Sequence, residues 1–309
     1  MKRFKKYILI FFSPILILAL SSEILLRKIP NDYLYKKEYL DRNSKNISIL
    51  FLGSSHAFFG INPEYIKSNS FNAAEVSQTL DLDLKILKKY DNKWDSLKYI
   101  VIPIDYFSLY SKLEKGIEAW RIKNYNLYYG MNISGNLAWY TEIFSNNIKV
   151  SFNKIYSYYI RGKSNISCSN SGWEFDYNNS KNKNDLNASG KNAAERHTAK
   201  DDQYFKENVN SLKLIIEFAR EKKIKVLLFT FPAYKSYVQN LEKKQLNRTI
   251  NTVTNLADSC QNTIYVNMLN DKSFNEEDYF DADHLNEIGA KKLTLKIDSI
   301  INNKPSQWR

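Results

Sequence analysis

Five short strand-like segments, most of them largely apolar, constrain this chain more than any other feature. They lie at 47–52, 70–74, 99–104, 225–230 and 263–267. Each has the length of a strand, and near-continuous Ile, Leu, Val and Phe mark strands covered on both faces. Pro103 sits near the end of the third run, where a missing N–H does least harm. Helix-like segments separate them. Leu80, Leu84 and Leu87 recur at helical spacing within 76–90, and Phe205, Val209, Leu212, Ile215, Ile216 and Ala219 mark one face of 202–222. A long helical segment is expected over 236–259 and a last one over 287–301, with Ile288, Leu293, Leu295, Ile297 and Ile301 facing the core. Strands alternating with helices predict an α/β three-layer sandwich around a mainly parallel five-stranded sheet. Right-handed crossovers then bring the strand carboxyl ends to one edge, where such sheets bind ligands.

The chemistry-bearing residues fall at that edge. Gly53-Ser54-Ser55-His56 follows the first run, and Asp281-Ala282-Asp283-His284-Leu285-Asn286 follows the fifth. A hydroxyl nucleophile needs a base to take its proton, and the base needs an acid to hold its tautomer. Ser55, His284 and Asp281 are the residues of the right type. The i, i+3 spacing of Asp281 and His284 allows both side chains on one side of a turn. Asp283, adjacent to His284, is expected to point elsewhere. The chain has only three histidines. His56 is expected to support the loop or the substrate site, and His197 to lie on the surface. The bland alternative is that Ser54-Ser55 caps a helix and 281–284 merely starts the last one.

The two motifs in this order resemble those of the SGNH, or GDSL-like, hydrolases. That family carries its serine in Gly-Asp-Ser after the first strand and an Asp-x-x-His near the C-terminus. Here Gly53-Ser54-Ser55 and Asp281-Ala282-Asp283-His284 match, with Ser54 in place of the family's Asp. Asn72 to Thr79 has the spacing of the family's second block, with Ser77 where its oxyanion-hole glycine stands. The third block, Gly-x-Asn-Asp, is replaced by Ile104-Asp105-Tyr106-Phe107. The resemblance covers about 47–107 and 202–300 and implies a flavodoxin-like SGNH fold with Ser55 as nucleophile, His284 as base and Asp281 as orienter. It also implies oxyanion donors at the Ser55 and Ser77 N–H groups, with His56, Asn72, Asp105 and Tyr106 as substrate-site support. Membrane-anchored members with Gly-Ser-Ser are similar to exported acyl-transfer and O-acetyltransferase-like proteins. The implied activity is a serine acyl esterase or O-acyltransferase on a cell-envelope glycan or glycolipid, working with a membrane-bound acyl-transfer partner. The alternative is a non-catalytic envelope-assembly protein that binds a glycan or a membrane partner on the same fold.

The N-terminus supports an envelope location. Lys2, Arg3, Lys5 and Lys6 precede an apolar stretch over 7–22, which resumes after Glu23 with Ile24-Leu25-Leu26. A crossing needs roughly 20 residues, and basic flanks stay in the cytoplasm. Residues 1–29 are therefore read as a membrane anchor, or as a signal peptide cut after the small residues Ala19 and Ser21, with an extracytoplasmic domain either way. Residues 30–46 read as a polar tether. Residues 47–309 read as the catalytic domain, with an aromatic-rich insertion at 108–200 that serves as a small core or a ligand-facing lid. Within it, 178–191 reads as a mobile loop. The net charge of +12, from 45 basic and 33 acidic residues, is scattered rather than gathered into a nucleic-acid module, so no nucleic-acid partner is expected. The two cysteines, Cys168 and Cys260, lack a ligand cluster, and an exported pair can form a disulfide. No metal and no organic cofactor is indicated.

Overall fold

The computed structural model describes residues 2–175 and 185–303. In chain order the elements are α1 Lys2–Arg27, α2 Asp32–Asn43, β1 Ile49–Phe51, α3 Ser55–Gly60, β2 Ser70–Asn72, α4 Leu80–Lys89 and β3 Tyr99–Pro103. There follow α5 Ile122–Leu127, α6 Glu142–Ser145, α7 Ile148–Ile155, α8 Leu186–His197, α9 Phe205–Glu221, β4 Lys225–Thr230, α10 Lys235–Gln239, α11 Lys243–Asp258, β5 Thr263–Asn267 and α12 Glu287–Asn303. The chain divides into two units, Met1–Glu38 with Ile117–Ile166, and Tyr39–Gly116 with Ser167–Arg309.

The larger unit is an α/β sandwich. Its five strands lie in the order β2-β1-β3-β4-β5, and every pairing is parallel. Leu50 of β1 sits between Phe71 and Ile100. Right-handed crossovers send α3 to one face and α4, α9 and α11 to the other. The packing of α3 on α12 and of α4 on α9 agrees. Leu50, Phe51, Phe71, Val101, Leu227 and Phe229 are fully buried, which is why these strands read as continuous apolar runs. β5, at the edge, stays half exposed.

The elements depart from the sequence reading in three places. The helix expected over 236–259 is two, because Glu242 leaves helical geometry and its carboxylate accepts the Lys244 and Gln245 N–H groups to start α11. Part of the polar 178–191 segment is the beginning of α8, capped by the Asp185 carboxylate; residues 178–184 lie outside the described residues. Residues 32–43, read as tether, are helical, with Tyr33, Lys36 and Leu40 buried at helical spacing. The insertion is also not one body. Residues 117–166 belong with the N-terminal segment, and the described residues after 166 belong with the sheet.

In the smaller unit, α1 is long and apolar enough to cross a membrane, a test that a signal sequence also passes. Its 26 residues span about 39 Å, more than a hydrocarbon core of about 30 Å. Glu23 and Arg27, near its end, bind α6 and its approach. The Glu23 carboxylate accepts the Glu142 and Ile143 N–H groups, and Arg27 donates to the Tyr140 carbonyl. The buried Glu142 carboxylate takes Lys123 Nζ at 2.7 Å and Tyr128 O–H at 2.9 Å. Burial opposes this charge, but the Lys123 ammonium wins and holds Glu142 below the usual carboxylate range. Tyr33, Tyr125 and Tyr129 pack edge-on and stacked as a small aromatic core, while Trp120 is half exposed beneath the Arg121 guanidinium. Cys168 and Cys260 are not joined by a disulfide.

Candidate active site

The carboxyl ends of β1 and β3 flank the point where the strand order reverses, so a crevice opens there. Gly53 turns the chain out of β1 with φ +114°, a left-handed conformation that disfavours any Cβ. An added Cβ would lie 2.9 Å from the Pro103 ring. The Gly53 N–H is held by the buried Asp83 carboxylate at 3.0 Å, so it is not available to a ligand. Burial pushes the Asp83 carboxyl up to about 7. Gly53→Ala should therefore destabilise the larger unit by about 1–3 kcal/mol and misplace Ser55. A melting curve and the rate of active-serine labelling check both; an unchanged protein in each would show that the turn has slack.

Ser55 opens α3. Ser54 is the N-cap by position, but its side chain makes no capping bond. The helix-cap reading thus holds for the backbone alone: the Ser54 carbonyl accepts the Ala57 and Phe58 N–H groups. Ser55, in the first turn, has no intrahelical acceptor for its own N–H. Its hydroxyl stays partly open to solvent, and Oγ lies 3.0 Å from His284 Nε2.

His284 arrives on the loop after β5. The Asp281 carboxylate closes that loop on itself by accepting the Asp283 N–H at 3.2 Å and the His284 N–H at 2.8 Å. The same carboxylate lies 3.0 Å from His284 Nδ1. A local turn therefore sets the i, i+3 geometry. The Asp281 carboxylate accepts a hydrogen bond from Nδ1–H, which leaves Nε2 as the acceptor facing the Ser55 hydroxyl. Burial alone would lower the His284 pKa; the charges of Asp281 and Asp283 outweigh it and raise it above the usual value.

A second, deeper pair lies one residue on from the first. His56 is 2% exposed and donates Nδ1–H to Asp105 Oδ2 at 2.8 Å. Its Nε2 lies 3.7 Å from Asp283 Oδ2, an ion pair just beyond hydrogen-bond reach. Burial opposes the imidazolium, but Asp105 and then Asp283 outweigh it, and the His56 pKa rises to about 10. Asp283 is the correction here. It does not point away: its Oδ2 is 3.7 Å from His284 Nδ1, and Arg196 and His197 approach it at 3.6 and 4.0 Å. Despite burial, the His284 and His56 charges hold it well below the usual carboxylate range.

His197 is the second correction. It is not a surface residue: α8 carries it against Phe107, and its Nδ1 lies 2.9 Å from Tyr237 O–H. Burial lowers its pKa to about 3, so it stays neutral. Tyr237, pushed up by burial, keeps its proton and donates it to Nδ1, leaving the Nε2–H toward Asp283. All three histidines of the chain thus surround one carboxylate. Their scarcity was the signal in the sequence, but no spacing rule links 56, 197 and 284.

The remaining candidate residues make contacts within the fold. Asn72 is fully buried, and its amide donates to the Ala57 and Ile61 carbonyls while Oδ1 accepts the Ala74 N–H; it braces α3 against β2 rather than reaching a ligand. Tyr106 lies in an apolar cluster with Tyr237 and Leu269, its hydroxyl engaged by Thr198 and the Glu242 N–H. Asp105 stands where the resembled family has an amide, and both oxygens are engaged, one by His56 and one by the Phe231 N–H. Ser77 has φ +58°, the left-handed backbone a glycine would take, at about 1–2 kcal/mol for a residue with a side chain. Trp173 caps α3 by donating to the Phe59 carbonyl.

Nitrogens of His56 and His284 and an Asp283 oxygen lie within 4.8 Å of one another, close enough to hold a metal ion. A cation there would have to displace the proton of a His56 that stays charged to about pH 10, and take His284 Nδ1 from Asp281. The cluster is therefore an ion network in its present form.

No protein-family model and no curated protein matches the sequence. Among solved structures, a candidate platelet activating factor protein from Streptococcus pneumoniae is similar with TM-score 0.43 and 13% identity, over 93% of this chain and 97% of that one. A candidate acylhydrolase from Bacteroides fragilis is similar with TM-score 0.39 and 14% identity, over 86% of this chain and 94% of that one. At this distance they say nothing of the chemistry, which has to be read from the site itself.

Proposed function

We propose that this chain is a serine ester hydrolase or acyltransferase of the SGNH kind, held at a membrane by α1. The observation that carries the reading is the 3.0 Å approach of Ser55 Oγ to His284 Nε2, with Asp281 on the other ring nitrogen. Ser55 Oγ attacks an ester carbonyl carbon while its proton passes to His284 Nε2. The oxyanion of the tetrahedral intermediate is received by the Ser55 N–H, with the Ser77 backbone as the second donor that the resemblance implies. The intermediate collapses, and the leaving alkoxide takes the proton from His284. The acyl group, now on Ser55, passes to water in a hydrolase or to a sugar hydroxyl in a transferase. In either case His284 takes the acceptor's proton and returns it to Ser55. An acylated cell-envelope glycan or glycolipid is the substrate class that suits a catalytic domain tethered at a membrane surface.

One observation favours a non-catalytic binding protein on the same fold. Asp105 stands in the third-block position and offers no donor to an oxyanion. A lost oxyanion donor costs about 2.7–4 kcal/mol of transition-state stabilisation, which slows acyl transfer without abolishing it.

Fluorophosphonate labelling of the full chain tests the proposal. The wild type should be labelled on Ser55. Ser55→Ala should lose the label and about 10³-fold or more of ester turnover. Equal labelling of both proteins, or turnover indifferent to Ser55, would defeat the catalytic reading and leave the binding one.

A further inference from the structure

One helix of the smaller unit turns its apolar side to the outside, the reverse of what water selects. Along α7 and the π-helical turn Tyr156–Ile160 that continues it, Ile148, Phe152, Tyr156 and Ile160 recur every four residues and share a face. Ile148 is 87%, Phe152 65% and Ile160 70% exposed. Phe144 of α6, 76% exposed, extends the stripe. The Phe152 and Tyr156 rings stack within it. Ser151, a polar residue, is the one turned inward. Scattered exposed apolar residues need no explanation, but a periodic stripe does.

The stripe is fastened to the end of the candidate membrane helix. Glu23 holds the first N–H groups of α6, Arg27 holds the Tyr140 carbonyl, and Tyr159 O–H donates to the Leu25 carbonyl at 3.0 Å. All three attachments fall between residues 23 and 27, where α1 runs out of apolar sequence. Between 148 and 163 the chain carries Lys149, Lys154, Arg161 and Lys163 and no acidic residue. Lys149, Arg161 and Lys163 are exposed.

We propose that 144–160 is an interfacial collar: its apolar stripe lies at the headgroup–acyl boundary of the bilayer that α1 enters, and Lys149, Arg161 and Lys163 meet anionic lipid headgroups. An amphipathic helix with an apolar face and basic flanks binds such a boundary through buried apolar area and charge together. Its attachment to residues 23–27 places the stripe at the depth where α1 leaves the hydrocarbon. The proposal rests on reading α1 as a membrane anchor, and it fixes how far the smaller unit sits from the membrane.

The test is hydrophobic photolabelling of the full chain. The protein is reconstituted in phosphatidylcholine–phosphatidylglycerol vesicles with a diazirine near the ester end of the acyl chain, and adducts are mapped by mass spectrometry. Lipid adducts are expected on α1 and on 144–160, but not on the exposed face of α11. The surface variant Ile148→Ser/Phe152→Ser/Ile160→Ser should lose the adducts on 144–160 and keep those on α1. Adducts on α1 alone would overturn the collar and leave the anchor standing. Adducts on neither would overturn both. With a bifunctional lysine crosslinker added to the same vesicles, links between two copies through Lys149, Lys154 or Lys163, with no lipid adduct on 144–160, would reject the collar in favour of self-association.

Discussion

Asp281→Asn should lower kcat by about 10⁴-fold while the protein stays folded. The Asp281 carboxylate serves two partners: the backbone of its own loop and the His284 Nδ1–H. An asparagine carbonyl can still close the loop. Its NH₂ group then faces Nδ1 and selects the tautomer with the proton on Nε2, which can no longer receive the Ser55 proton. Asp283, 3.7 Å from the same Nδ1, is a second negative charge on the imidazole but makes no hydrogen bond to it. The two acids are separable by pH. Both raise the His284 pKa, and the base must be neutral to work, so kcat/KM of the wild type should rise with pH through a value above 6.5. Removing either charge lowers that pKa. Asp283→Asn should therefore shift the acidic limb to lower pH with a smaller loss of turnover than Asp281→Asn. Profiles of kcat/KM against pH for wild type and Asp283→Asn check this, and coincident acidic limbs would show that Asp283 does not act on His284.

His56→Gln should destabilise the larger unit by about 3–5 kcal/mol, the usual consequence of removing one partner from a buried ionic group. Glutamine can replace one hydrogen bond but not the charge, which leaves Asp105 and Asp283 buried without their shared cation. For a domain of this size the apparent Tm should fall by roughly 10 °C. The pH dependence has a definite sign. The folded pKa of about 10 lies above the unfolded value of 6.5, so the stability that His56 contributes is fully present below 6.5 and is lost as pH rises through about 10. The wild type should therefore lose stability over that window, and His56→Gln should lack this part of the slope. Thermal unfolding at about pH 6 and about pH 10 measures both. Equal melting temperatures for the two proteins at the lower pH would rule out the buried ion network. His56 adjoins Ser55 and Asp283 adjoins His284, so the same bridge also ties the Ser55 loop to the His284 loop.

Several features were legible because their causes are local. β4 coincides with the apolar run 225–230, since a strand buried on both faces needs no partner to be recognised. The Asp281–His284 turn lies within four residues, and an aspartate that binds its own following backbone is a sequence-level signal. Other features were hidden by composition. Lys36 is buried at a core position of α2, and a lysine there broke the Tyr33–Leu40 period that would have revealed the helix. In the 236–259 segment the helical pattern runs through Glu242, whose capping role depends on a backbone choice that the pattern does not record. His197 came from a stretch with weak periodicity. Only its packing against Tyr237 and Phe107 makes it part of the site.

The order of strands and helices, the edge at which the chemistry gathers, and the serine, histidine and acid that meet there all follow from the amino-acid sequence, because hydrophobic period and tight turns act over a few residues. Folding in three dimensions alone decided that Asp283 faces inward, that His56 is a buried cation between two carboxylates, and that the insertion divides between two units. Burial and charge at those positions are set by residues far apart in the chain, as the 3.7 Å approach of His56 Nε2 to Asp283 Oδ2 illustrates. Such contacts leave no period in the sequence, and their energetic sign depends on a dielectric that exists only once the core has closed.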